Sequence, residues 1–299
     1  MYKKIRFPDF IIIGAMRCGS TTLWELISKH PSVFFPEKKE LHFFDDKNSS
    51  YGLGLKWYSN NFCNANRDAI AGEATPTYLY LDEARKRILN DIPQSTKFIV
   101  ILRDPALRAW SHYWFRVRQG LESRSFNRST QMEETRISSA HDWTWLRFAY
   151  RKLGHYAEFL YPWLDSVERK RFHFVFLEDL IRNPISTMNS VFSHIDVDAN
   201  DIEKIELPHK NKGWHCLSPK LQKYAHTLAT FEPDQIGLSY KAIRRFGRTL
   251  RHLNRSKKQI FMPETVYFKM MKVFEKSDSA LENMLGIQVP WRKNDYNIY

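Results

Sequence analysis

Residues 14 to 22 read Gly14-Ala15-Met16-Arg17-Cys18-Gly19-Ser20-Thr21-Thr22. Glycines near both ends let backbone N–H groups converge on an anion, and a helix opening at Ser20 to Thr22 adds amides and the positive end of its dipole. This is phosphate-binding chemistry. The loop departs at one position from the GxxxxGK[ST] pattern of triphosphate-binding loops: Ser20 stands where the lysine that grips the β and γ phosphates belongs. Arg17 supplies a cation three residues earlier, placed to meet the negative charge that develops on an oxygen as a group departs. Attack by a hydroxyl also needs a proton acceptor, and Glu40 and His42 stand two residues apart. Glu73 is a further carboxylate candidate.

The elements that must position these groups follow from pattern. Asp9 to Gly14 is a short β-branched apolar run, as expected for a strand buried on both faces of a parallel sheet, and a helix from about Thr21 to Lys29 follows the loop. The same unit recurs. Lys97 to Leu102 predicts a buried strand, Asp104 and Pro105 suit the start of a helix running through about Gln119, and Phe172 to Leu177 predicts a third strand before a helix over Pro184 to Ile195. Strands alternating with helices predict an α/β fold of three layers, P-loop-like, with a central mainly parallel sheet flanked by helices. The stretch Phe126 to His141 is polar and predicts a loop or a mobile helix bordering a site. Beyond residue 213 three helices are expected, over Pro219 to Phe231, Tyr240 to Arg255 and Glu264 to Leu285. The chain is therefore read as one domain over 1–299, with an α/β core over 7–195 and a mostly helical part over 214–290 packed on it.

Composition bounds the partners. The chain has 299 residues, 43% of them hydrophobic, which describes an ordinary folded protein and excludes a disordered chain. Lys and Arg number 46 against 33 Asp and Glu, a net charge of +13 that attracts anions without choosing among nucleotide, nucleic acid, lipid and acidic glycan. Cys18, Cys63 and Cys216 are too scattered for a CxxC motif, so free thiols and no metal are expected. The apolar run Phe10 to Ile13 is too short for a signal segment or a membrane span, and a cytoplasmic, at most membrane-peripheral, location is expected. Residues 241–258 carry eight Lys and Arg with Ile243, Phe246, Leu250 and Leu253 at helical spacing. Such a basic amphipathic helix suits a packed helix with a solvated face, an anionic membrane or an acidic glycan.

The segment Phe7 to Leu23 resembles the 5′-phosphosulfate loop of the sulfotransferase family, whose donor is 3′-phosphoadenosine 5′-phosphosulfate and whose nucleotide product is 3′-phosphoadenosine 5′-phosphate. Arg103-Asp104-Pro105-Ala106-Leu107-Arg108-Ala109-Trp110-Ser111 resembles that family's 3′-phosphate motif, and the match falls on Arg103 and Ser111. Glu40-Leu41-His42-Phe43-Phe44-Asp45 resembles a segment of the heparan sulfate 3-O-sulfotransferases, in which the glutamate is the base. Gly72 to Tyr78 resembles the segment that borders the acceptor cleft in the same branch. The resemblance implies a phosphosulfate held by Arg17, Cys18, Gly19, Ser20, Thr21 and Thr22, a 3′-phosphate on Arg103 and Ser111, and a donor loop including Lys212 and Gly213. It also implies Glu40 as base with His42 orienting it or replacing it, an acceptor near Glu73, Thr75 and Pro76, and no metal. Leu41 stands where that branch carries proline, and Arg17 where the loop usually carries lysine. Arg17 keeps the charge as a planar fork, which favours electrostatic stabilisation over proton transfer.

The acceptor implied is a hydroxyl of a glycan or glycolipid. Two rival readings predict different behaviour. A kinase-like phosphoryl transferase requires a loop lysine and an acidic magnesium ligand; a non-catalytic nucleic-acid binder requires steep salt dependence without preference for a nucleotide donor.

Overall fold

The computed structural model describes residues 5–45, 50–140, 142–199, 214–231, 239–256 and 260–293. In chain order the elements are β1 (Phe10–Gly14), α1 (Ser20–Ile27), β2 (Val33–Phe34), α2 (Gly54–Asn60), β3 (Ile70–Ala74), α3 (Asp82–Asp91), β4 (Lys97–Leu102) and α4 (Pro105–Arg118). They continue as α5 (Phe126–Gln131), α6 (Glu133–Ser138), α7 (Tyr156–Ser166), β5 (Phe172–Phe176), α8 (Leu177–Arg182), α9 (Pro184–His194), α10 (Pro219–Ala229), α11 (Ser239–Leu253) and α12 (Glu264–Leu285). These form two compact units, one of residues 1–104, 155–211 and 275–299, the other of residues 105–154 and 212–274.

The first unit holds a five-stranded sheet of order β2-β3-β1-β4-β5, parallel at every pairing and flanked by helices, as the alternating pattern predicts. Every residue of β1 is buried, and so is β4 after Lys97, which explains their unbroken apolar sequences. Ile12 pairs with Ala74 on one side and Ile99 on the other, so the sheet centre is a row of small and branched apolar side chains. In β3, Gly72 leaves room for the Phe10 and Phe35 rings; a Cβ there would fall 2.7 Å from Phe35 Cε1. From β1 the chain moves outward to β2, whereas from β4 it moves the other way to β5. The ends of β1 and β4 therefore form the point at which the winding reverses, where ligands bind in open parallel sheets.

From Glu275 on the chain belongs to this unit again. Trp291 is buried, its ring 5.5 Å from that of Phe176 and 6.3 Å from that of Tyr156, and its Nε1–H donates to Asp278 Oδ2 at 3.0 Å. In the second unit α4 buries Trp114 and Tyr113, and the polar stretch expected as a loop or a mobile helix forms two short helices, α5 and α6. Ser125 Oγ caps α5 by accepting from Arg128 N, and Glu133 anchors α6 by accepting from the backbone N–H groups of Arg151 and Lys152. Polar side chains satisfied in this way build short helices that apolar periodicity does not announce.

Candidate active site

The loop after β1 is tied to the sheet at once: Ala15 N donates to Ile101 O at 2.8 Å, and Cys18 N donates to Ala15 O at 3.3 Å. Arg17 takes a positive φ of 67° and Gly19 one of 96°. Gly19 is the residue that caps α1, and no side chain caps that helix nor does an acidic residue occupy its first turn. The amides of Ser20, Thr21 and Thr22 are thus left for an external anion. A side chain at Gly19 is disfavoured by its φ and would also displace Leu177 Cδ1, 2.8 Å from where a Cβ would stand.

The buried Cys18 places Sγ 3.3 Å from Tyr156 Oη, and the Tyr156 hydroxyl donates to Arg103 O at 2.8 Å. One phenol therefore connects the loop after β1 to the residue that follows β4. Asp104 N donates to Glu178 Oε1 at 2.9 Å, so Arg103 is fixed by its own carbonyl and by its successor's amide. Arg17 and Arg103 are both half-buried at neighbouring strand ends, and together they concentrate positive charge at the switch point.

Glu40 and His42 follow β2, whose end lies at the same edge of the sheet. Both adopt left-handed backbone, φ 60° and 53°, which typically costs about 1 kcal/mol or more for a residue with a side chain. The surroundings impose it. His42 Nδ1 lies 2.7 Å from Asp45 Oδ2, Thr77 Oγ1 donates to the same oxygen, Ser50 Oγ donates to His42 O at 2.8 Å, and Phe43 N donates to Tyr78 Oη at 3.1 Å. On its other side His42 Nε2 lies 3.5 Å from Glu40 Oε2, while Lys39 Nζ donates to Glu40 Oε1 at 2.7 Å. Partial burial works to raise the Glu40 carboxyl, but the hydrogen bond with His42 and the Lys39 ammonium outweigh it and hold it at about 2. Glu40 is therefore ionised and reachable, with a third of its side chain or more exposed.

Glu73 and Thr75 lie in the interior rather than on an open cleft. Glu73 is 1% exposed and accepts from Tyr58 Oη at 2.6 Å, Thr75 Oγ1 at 2.6 Å and Tyr78 Oη at 3.0 Å. Burial raises its carboxyl above the ordinary value despite those three donors. Since Tyr78 also meets the amide of Phe43, this carboxylate supports the segment that carries Glu40. Pro76 continues the same turn. Ser111 is half-buried on α4 in the second unit, and the neighbouring His112 is fully buried there, against Arg108 and Arg116. Lys212 and Gly213 lie outside the described residues. Among the described residues no cluster of His, Cys, Asp and Glu could hold a metal ion.

Sequence reasoning passed over Tyr156, Asp45 and Thr77 as individual residues. Asp45 sits in the Glu40 to Asp45 block and Thr77 in the Gly72 to Tyr78 block. For Tyr156, the only sign is the block Gly154-His155-Tyr156-Ala157, far along the chain from the loop it holds.

An anion cradle at the reversal point of a parallel sheet, with an ionised carboxylate at the same edge, is an arrangement suited to the transfer of an anionic group. The sulfotransferase domain family matches residues 7–227, and the chain belongs to that family. It is 31% identical over 212 residues to heparan sulfate glucosamine 3-O-sulfotransferase 3B1 of Mus musculus, covering 71% of this chain and 52% of that protein. It is 26% identical over 214 residues to heparan sulfate glucosamine 3-O-sulfotransferase 5 of Homo sapiens, covering 71% and 60%. The chain thus spans about half the length of the first of these relatives. The fold is similar to that of a sulfotransferase from Alicyclobacillus acidocaldarius, with a TM-score of 0.69 at 22% identity over 96% of this chain and 100% of that one.

Proposed function

We propose that this chain transfers a sulfonate group from 3′-phosphoadenosine 5′-phosphosulfate to a hydroxyl of a carbohydrate or glycolipid. The observation that carries the reading is the loop after β1: it offers uncapped helix amides and Arg17 to an anion, has no lysine for a triphosphate, and shares its sheet edge with the ionised Glu40. The residues fit the donor at this point, since Gly19 is held in a conformation that keeps the cradle free of a side chain and no acidic group in the first turn of α1 opposes an anion. The relatives' names mention heparan sulfate, which supports a glycan acceptor.

In this mechanism the amides of Gly19 to Thr22 and the Arg17 guanidinium hold the phosphosulfate, while Arg103 and Ser111 hold the 3′-phosphate. Glu40 accepts the hydroxyl proton as the acceptor oxygen bonds to sulfur and the bond from sulfur to the phosphate oxygen breaks. The electron pair of that bond stays on the phosphate oxygen, where Arg17 and the loop amides stabilise it. His42, braced by Asp45, keeps Glu40 aimed, and the Tyr156 bridge keeps the two phosphate-binding arginines in register. A carboxylate held at about 2 is a weak base, and weakening the His42 or Lys39 contact would raise it.

Calorimetric titration with 3′-phosphoadenosine 5′-phosphate, beside magnesium-ATP and with Arg103→Ala as control, tests the reading. Tight, metal-independent binding lost in the variant is expected. A preference for magnesium-ATP would replace this reading with phosphoryl transfer.

A further inference from the structure

We propose that the α10–α11 hairpin of the second unit is a peripheral anchor that lies on an anionic lipid surface, a property separate from the chemistry of the sheet edge. The two helices run antiparallel. Leu217 N donates to Asn254 O at 2.8 Å, Asn254 Nδ2 donates to Ser218 O at 2.9 Å and to Gln222 Oε1 at 3.3 Å, and Gly247 brings its backbone against Leu228 and Ala229. A Cβ at Gly247 would fall 2.8 Å from Leu228 Cβ, so the glycine is what allows the helices to approach. The polar pairing of Asn254 with Gln222 leaves the apolar side chains of the hairpin to face elsewhere.

They face solvent. Leu217 is 71% exposed, Leu221 38%, Tyr224 58%, Phe246 55% and Leu253 66%. Each helix turns about 100° per residue. By that count Leu221 and Tyr224 lie to one hand of the seam residues Gln222, Ala225 and Ala229, and Phe246 and Leu253 lie to the same hand of Gly247 and Asn254. In an antiparallel pair, equal hands share a face, so both helices contribute to one apolar strip.

Charge selects the occupant. Residues 214–231 and 239–256 together contain eight Lys and Arg and no Asp or Glu; the two acids between them, Glu232 and Asp234, lie outside the described residues. Arg245 and Arg248 are exposed on α11. Cations alone would suit any polyanion, but exposed leucines and a phenylalanine gain nothing from a sulfated or phosphorylated polymer in water. A bilayer rewards both, taking the apolar strip below its headgroups and the cations among its anionic ones.

Sedimentation of the full chain with vesicles decides it. Vesicles containing about 30 mol% phosphatidylserine should capture the protein, and pure phosphatidylcholine vesicles should capture at least about tenfold less. Phe246→Ser with Leu253→Ser, and separately Arg245→Glu with Arg248→Glu, should each lower capture by about tenfold or more. Binding of 3′-phosphoadenosine 5′-phosphate should be unchanged in both, which also confirms that they fold and keeps this test apart from that of the donor site. No capture by anionic vesicles would overturn the proposal. So would two other results: equal retention on heparin and vesicles with no effect of the serine variant, which would assign the face to a soluble polyanion, or a dimer abolished by the serine variant without vesicle binding, which would assign it to a second copy.

Discussion

As the proposed base, Glu40 meets two opposing demands: it must be ionised to accept a proton, yet basic enough to keep it. The depressed carboxyl satisfies the first, and Lys39 is the adjustable part of the second. Replacing Lys39 with Met removes a cation that stabilises the carboxylate, so the Glu40 pKa must rise from about 2 toward its ordinary value of 4.5. The acid limb of the pH–rate profile is expected to move upward in the same direction, with activity lost at higher pH than in the parent protein. Glu40→Gln should lower turnover by about a hundredfold or more while leaving 3′-phosphoadenosine 5′-phosphate binding intact by calorimetry. Gly19→Ala separates cradle from base. It forces a Cβ toward Leu177 in a left-handed conformation, and a loss of about 1–3 kcal/mol in both bisphosphate affinity and thermal stability is expected.

At the scale of elements, the strands that carry the site differ in how openly the sequence declared them. β1 and β4 were legible because both faces of these central strands are buried, which demands continuous apolar runs, and β5, a partly buried edge strand, was legible from its phenylalanines and valine. β3 was legible only as a motif: its buried positions are Ala71, Gly72, Glu73 and Ala74, chosen for the Phe10 ring and for three hydroxyls rather than for strand propensity. β2, at two residues, carries no periodicity at all. The phosphate loop and Glu40 were readable from local spacing, whereas the bridge from Cys18 through Tyr156 to Arg103 joins parts of the chain that only the fold brings together. Two carboxyls test these elements. Glu73→Ala leaves the Tyr58, Thr75 and Tyr78 hydroxyls without their acceptor, and a loss of about 2–4 kcal/mol by denaturant unfolding is expected, with Glu73→Gln milder. Asp278 on α12 is raised by burial, against the Trp291 hydrogen bond, from 3.8 to about 7. Between those values the unfolded chain releases the proton and the folded one keeps it, so stability falls as pH rises through this window. Asp278→Asn should therefore match the parent near pH 4 and exceed it above pH 7, by on the order of 2–4 kcal/mol, when melting is followed across pH.

For the whole molecule, the net charge of +13 is a field as well as a count. Cations at the switch point and along the helical hairpin each draw anions, and screening should weaken both. Raising salt from about 0.05 M to 0.5 M is expected to lower bisphosphate affinity several-fold and vesicle capture more steeply, with little change in melting temperature. The make-up of the first unit has a different consequence. It is assembled from three separated stretches of chain, and its last described cover, Trp291 over Phe176 and Tyr156, arrives some 115 residues after β5. During synthesis β1, β3 and β4 can pair early, but the ring that shields Tyr156 has not yet been made when everything it covers has emerged. A nascent chain must therefore hold an apolar surface open while some 115 further residues are added, and this chain should depend on whatever protects unfinished polypeptides.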